Sequence, residues 1–103
     1  MPKTKTGLLD DDIRRTKRVT THPGEMLKRE FLDPLGLSAS ALAVEISVPA
    51  NRLTEMVAGR RSMTADTALR LADKFGTSPE FWMNLQTMHD LSQAVIANAK
   101  RAA

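Results

Sequence analysis

LSASALAVEISVPANRLTEMVAGRRSM, residues 37–63, decides the fold of this 103-residue chain. Two short apolar-periodic segments flank Ser47-Val48-Pro49. Ser38 has the side chain of a helix N-cap, and Leu42, Ala43 and Ile46 follow at the spacing of one buried helical face. Proline cannot donate a backbone hydrogen bond, so the next helix starts at Pro49 or just after it. Its inward positions are Leu53, Met56 and Val57, and Gly59 supplies the left-handed residue that ends it. Two helices cross steeply only when the turn is compact and the contact holds small residues; Ala43 is small where they approach. The pattern predicts a helix-turn-helix, whose second helix lies in the major groove of DNA.

The informative positions of that second helix are those its core does not need: Ala50, Asn51, Arg52, Thr54, Glu55 and Ala58. On a 3.6-residue period Ala50, Asn51, Thr54 and Ala58 turn away from Leu53 and Met56, with Glu55 at the border. Asparagine bonds bidentately to adenine, threonine and alanine methyls meet the thymine methyl, and arginine reads guanine or grips phosphate. Each good bidentate contact is worth about 1–3 kcal/mol of base discrimination. The bland alternative is a solvated helix face; for Asn51 and Arg52 together, contact is the better reading. Arg60 and Arg61 fall on the loop where the duplex backbone passes and are expected to anchor phosphates. Ser38 and Ser40, at the start of the preceding helix, can donate to a phosphate with the help of that helix's dipole.

Outward from this unit, Thr21-His22-Pro23-Gly24-Glu25 reads as a helix start, with Met26, Leu27 and Phe31 on the apolar face. Asp33-Pro34-Leu35-Gly36 is expected to break that helix. Thr64-Ala65-Asp66 opens a fourth helix with Ala68, Leu69, Leu71, Ala72 and Phe75 inside, stopped by Gly76. Ser78-Pro79-Glu80 opens the last, which carries Phe81, Trp82, Leu85, Met88, Leu91 and Val95. The expectation is an all-α domain of five helices over 21–103, preceded by a flexible basic arm over 1–20. Lys3, Lys5, Arg14, Arg15, Lys17 and Arg18 load that arm, beside the acidic triplet Asp10-Asp11-Asp12. The plain reading of such a tail is solvation; next to a groove-binding motif it becomes an electrostatic footprint for phosphates.

Composition narrows the function by exclusion. The net charge of +3 says little alone, and 42% apolar residues support a globular fold. Zero cysteines remove disulfides and thiolate metal sites and suit a reducing cytoplasm. No apolar run approaches the roughly 18 residues of a membrane span, and no apolar region follows Lys3 and Lys5 as in a secretory signal. A glycine-rich phosphate loop and a paired-carboxylate motif are both missing, so neither an enzyme nor a cofactor site is expected. His22 with Glu25, or His89 with Asp90, would be the metal candidates; neither has the i, i+4 spacing of a helical ligand pair. His22 more simply precedes a helix and His89-Asp90 more simply faces water.

The last helix suggests self-association. Phe81, Leu85, Met88, Leu91 and Val95 step along one side with Trp82 adjacent. Part of that stripe covers the domain's own core, and Met88 onward is expected to pack against a second copy. A two-fold dimer would set two recognition helices roughly 34 Å apart, one helical turn of DNA. The alternative is a frayed terminal helix, which beyond about Ala94 competes well.

HPGEMLKREFLDPLGLS at 22–38, VPANRLTEMVAGRRSMTADTALRLADKFGTS at 48–78 and PEFWMNLQ at 79–86 resemble the Xre/Cro-type helix-turn-helix family. They resemble more closely its HigA (VapI-like) antitoxin branch, over about residues 22 to 90. The combination is far more specific than a helix-turn-helix alone. The resemblance implies the antitoxin of a type II toxin–antitoxin pair, which neutralises a RelE-like (HigB) mRNA endonuclease toxin. It also implies a dimer that binds double-stranded DNA at an operator in its own promoter and represses it. Carried onto matching positions, Ala50, Asn51, Arg52, Thr54 and Glu55 face the groove and Arg60 meets the backbone. Position 39 often holds a phosphate-touching glutamine in this family; Ala39 cannot serve, leaving that anchor missing or supplied by Ser40. Position 47 is usually glycine, and Ser47 there costs of order 1 kcal/mol or changes the turn. A free-standing Xre-type repressor without a toxin is the main alternative, ahead of a protein-only interaction module. A short adjacent reading frame for a basic RelE-like protein would favour the antitoxin.

Overall fold

His22 starts the first helix by accepting the Gly24 backbone N–H at its Nδ1, 2.9 Å away. The computed structural model describes residues 17–102; Lys3, Lys5, Asp10, Asp11, Asp12, Arg14 and Arg15 of the expected arm lie outside the described residues. Among the described residues the protein is all-helical, with five helices and no strand. Helix α1 begins at Pro23–Leu27, widens into a π turn at Lys28–Leu32 and closes with Asp33–Leu35. The helix thus runs on through Asp33 and Pro34, and the expected break over Asp33-Pro34-Leu35-Gly36 falls at its last residue. A proline ring clashes with the carbonyl four residues back, and wider i→i+5 bonding just before it relieves that clash. Here the Asp33 N–H bonds the Lys28 carbonyl, five residues earlier. The helix ends at Gly36, beyond which the Leu37 N–H bonds the Leu32 carbonyl at 2.9 Å.

Helix α2 (Ala39–Ile46) starts where Ser38 caps it, the Ser38 Oγ accepting the Ala41 N–H at 3.0 Å. It buries Leu42, Ala43 and Ile46, as the spacing predicts. Ser47 takes the left-handed conformation at φ 61°, and the Val48 N–H returns to the Ala43 carbonyl at 3.0 Å. This six-to-one bond is the Schellman closure that glycine usually supports. Helix α3 (Ala50–Val57) follows with Leu53 and Met56 buried. Gly59, at φ 82°, then turns the chain, and the Arg60 N–H closes on the Glu55 carbonyl at 2.8 Å.

Helix α4 (Ala65–Phe75) is capped by Thr64, whose Oγ1 accepts the Thr67 N–H. It buries Thr67, Ala68 and Leu71. Leu69, expected inside, is 56% exposed, because one residue beyond Ala68 is about 100° around the helix from the inward face. Helix α5 (Pro79–Ala102) begins after Ser78, whose Oγ accepts the Phe81 N–H at 3.0 Å.

The described chain falls into two compact units. In the unit 21–86 the core joins Leu27 and Leu32 of α1, the buried side chains of α2 and α3, Val48, Met63, Leu71 and Trp82. Phe31 packs on Phe75 at 4.8 Å between ring centroids and on Trp82 at 5.4 Å. The Trp82 indole N–H donates to the Thr77 hydroxyl at 2.7 Å. Gln86, to which the sequence reading assigns no role, is buried, its Oε1 accepting the Met63 N–H at 2.7 Å. The other unit holds the residues before 21 with those after 86. There the Thr20 N–H donates to the buried Ser92 hydroxyl at 3.0 Å, and Nδ1 of His89 lies 2.7 Å from the Thr20 carbonyl. A carbonyl only accepts, so that nitrogen carries the proton. His89 thus has a specific partner and does not simply face water, and Thr20, the last residue of the expected arm, is held.

Candidate nucleic-acid interface

The buried line of α3, Leu53 and Met56, fixes which side of that helix is free. Asn51 and Ala58 are exposed on the opposite side, and Thr54 and Glu55 are half-buried between. Ala50 is exposed at the helix start and Arg52 is half-buried on its flank. Pro49 supplies no side-chain cap to α3, so the first N–H groups of that helix remain available to an outside acceptor. The Thr54 hydroxyl donates to the Asn51 carbonyl at 3.2 Å. This bond orients the Thr54 methyl while leaving the Asn51 amide free.

Three contacts hold the helix-turn-helix in place, one on α3 and two on α2. A Cβ on Gly24 would lie 1.9 Å from the Met56 carbonyl oxygen and 2.8 Å from the Val57 Cα. The start of α1 therefore meets the end of α3 backbone to backbone, an approach only glycine permits. Across the turn, Arg70 of α4 donates to the Ile46 carbonyl at 3.0 Å while its Nε bonds Asp66, also at 3.0 Å. Lys74 pairs with Glu45 beside it. Cations at the end of α2 suit the negative pole of that helix. Neither Gly24 nor Arg70 stands out in the sequence as part of this support. The one available hint is that Asp66 and Arg70 are spaced i, i+4 on a helix.

The loop after α3 separates its two arginines. Arg60 is exposed and makes no side-chain hydrogen bond or ion pair among the described residues. Arg61 donates through Nε and an Nη to Oε1 of Glu55, at 3.1 and 2.8 Å. Ser38 is exposed and its oxygen is already an acceptor for the cap, which leaves its O–H to donate; Ser40 is exposed beside it. Ala50, Asn51, Arg52, Thr54, Glu55, Arg60 and Arg61 are thus gathered on one helix and the loop that follows it.

The expected dimer face divides by burial. Trp82 is fully buried in its own unit, so its expected place in a dimer contact is corrected: the ring is spent on Phe31, Thr77 and the core. Phe81 stacks edge-on against Trp82 at 4.9 Å and keeps an exposed side. Leu85, Met88 and Val95 are half-buried, and Leu91 is 44% exposed. Among the described residues no three histidine, aspartate or glutamate side chains gather to hold a metal ion, and no helix is long and apolar enough to cross a membrane.

Residues 28–82 match the helix-turn-helix family. Virulence-associated protein I of Dichelobacter nodosus is 51% identical over 73 residues, covering 71% of this chain and 68% of that protein. Antitoxin HigA-1 of Vibrio cholerae is 43% identical over 79 residues, covering 77% of this chain and 74% of that one. A solved structure of the Pseudomonas aeruginosa antitoxin HigA with the higBA promoter superposes with a TM-score of 0.76 at 42% identity. It covers 82% of this chain and 91% of the other.

Proposed function

Because this chain belongs to the Xre-type helix-turn-helix family, in its HigA branch, we propose that it is a DNA-binding antitoxin. It binds double-stranded DNA at an operator in its own promoter, represses transcription there, and neutralises a RelE-like toxin encoded beside it. The observation that carries the DNA reading is the outward side of α3: a hydrogen-bonding face, Asn51 to Ala58, set over a buried line and flanked by Arg60, which is unpaired among the described residues. The likeness to a HigA solved with promoter DNA supports the same reading. Binding, rather than catalysis, is its work, in the cytoplasm.

Within this reading Asn51 reads a base edge, Ala50 and Thr54 offer methyls, and Arg52 reaches guanine or phosphate. Arg60, Ser38 and Ser40 hold the backbone and carry no sequence information. A second copy packs through Phe81, Leu85, Met88, Leu91 and Val95 and brings two such faces to successive major grooves. Toxin neutralisation rests on membership of the HigA branch.

The test is binding of the full chain to its own upstream DNA, by gel shift, for three proteins. Asn51→Ala relaxes base preference at one position, whereas Arg60→Ala weakens binding to all duplexes alike. Identical profiles for the two variants would contradict this division of roles. Co-expression with the neighbouring reading frame followed by pull-down tests the toxin: failure to recover a complex leaves a free-standing repressor.

A further inference from the structure

From sequence Glu55 and Arg61 are separate contacts, one toward the bases and one on the backbone, and the structure ties them together. Glu55 is four residues beyond Asn51 and one before the buried Met56, about 100° from it, which places it at the border of the outward face. The loop grips this residue twice. Its backbone does so through the Arg60 N–H on the Glu55 carbonyl at 2.8 Å. Its side chain does so through both Arg61 donors on Oε1. Oε2 makes no hydrogen bond among the described residues.

We propose that Arg61 is a positioning residue that holds the Glu55 carboxylate so that its free oxygen accepts the N4 amino group of a cytosine in the operator. The inference rests on the DNA-binding reading above. A carboxylate is an acceptor only, and cytosine N4 is the major-groove donor that acidic side chains read. A bare carboxylate among phosphates would be repelled; its ion pair with Arg61 offsets that charge. Both members are partly exposed, at 45% and 39% of side-chain area, and pairs open to solvent add little to folding. The pair therefore has scope to serve recognition with little bearing on stability. Arg60 remains the phosphate anchor of this loop, and Arg61 acts through Glu55.

The experiment measures fluorescence anisotropy of the full chain on its own upstream duplex and on a panel of single-base-pair substitutions of it. Wild type, E55Q, R61Q, R61K and E55Q/R61Q are compared, with thermal melts confirming that each is folded. The wild type should prefer one C·G pair by about tenfold. E55Q should lose that preference and move toward adenine, which a glutamine amide reads. R61Q should lose it at the same base pair, R61K should restore part of it, and the double variant should lose no more than either single. The proposal is overturned if R61Q weakens every duplex alike, makes the salt slope shallower by about one per protomer and adds to the effect of E55Q; Arg61 would then be a phosphate anchor. It is overturned equally if the wild type binds and E55Q alters no base preference. A wild type that binds no upstream duplex overturns the DNA reading itself, and this inference with it.

Discussion

Ser47 stands where the chain must turn sharply between α2 and α3, and its φ of 61° is the one positive value at a non-glycine position among the described residues. A side chain there crowds the following carbonyl, a cost of roughly 1–2 kcal/mol. Glycine removes that cost and returns part of it as extra freedom of the unfolded chain. Ser47→Gly should therefore stabilise the protein by roughly 0.5–1 kcal/mol, seen as a higher urea midpoint at unchanged slope; a lower midpoint would mean the hydroxyl contributes something glycine cannot. Gly24 is the converse case. The atoms a Cβ would strike, the Met56 carbonyl and the Val57 Cα, are all backbone, so no side chain can swing aside. Gly24→Ala should cost about 3 kcal/mol or more, and relief by shifting the end of α3 should weaken operator binding too. A thermal scan with a gel shift checks both; a variant of normal stability would show that the two helices are not pressed together as described.

At the scale of elements, the starts of α2, α4 and α5 were legible because their signals are local: Ser38, Thr64 and Ser78 each cap through their own side chain. So were the buried lines of α2 and α3, which repeat at helical spacing. The outward α3 face was legible as its complement. Contacts between elements were not. The break over Asp33-Pro34-Leu35-Gly36 is legible, but that it comes only at Gly36 is not, because nothing local announces that a π turn will accommodate Pro34. Leu69 reads as core because it is leucine, although Ala68 and Leu71 already define the inward line of α4. The Arg61–Glu55 pair depends on how far Gly59 turns the chain. Gln86 is the sharpest case: it looks like a surface residue, yet it is the acceptor for a buried backbone N–H 23 residues earlier. Leucine at that position would fill the space and strand the Met63 N–H, a loss of about 1–3 kcal/mol. Gln86→Leu should lower the denaturation midpoint accordingly, and no change would mean that another acceptor reaches Met63.

For the whole molecule the decisive quantity is how charge is distributed across the proposed DNA face, since a net charge of +3 attracts a duplex only weakly. Among the described residues, Arg61, Arg70 and Lys74 are committed to Glu55, Asp66 and Glu45. Cations already paired in this way release few counterions when DNA arrives. Arg52 and Arg60 make no ion pair among the described residues, and the proposed two-fold dimer would present both pairs of them to one duplex. If those four cations each neutralise a phosphate, the logarithm of affinity falls against the logarithm of salt with a slope of about −4. Between about 50 and 200 mM salt that is a loss of roughly 150- to 250-fold. Basic residues outside the described stretch can only steepen it, so the expected slope is −4 or more negative, and Arg60→Ala should make it shallower by about two per dimer. A titration of operator binding against potassium chloride measures both. A slope near zero would place the energy of binding in contacts other than phosphate neutralisation, and would remove the role assigned to Arg60. A slope halved in a variant with Leu91→Glu, which keeps every arginine but repels a second copy, would locate the other half of the effect in the dimer.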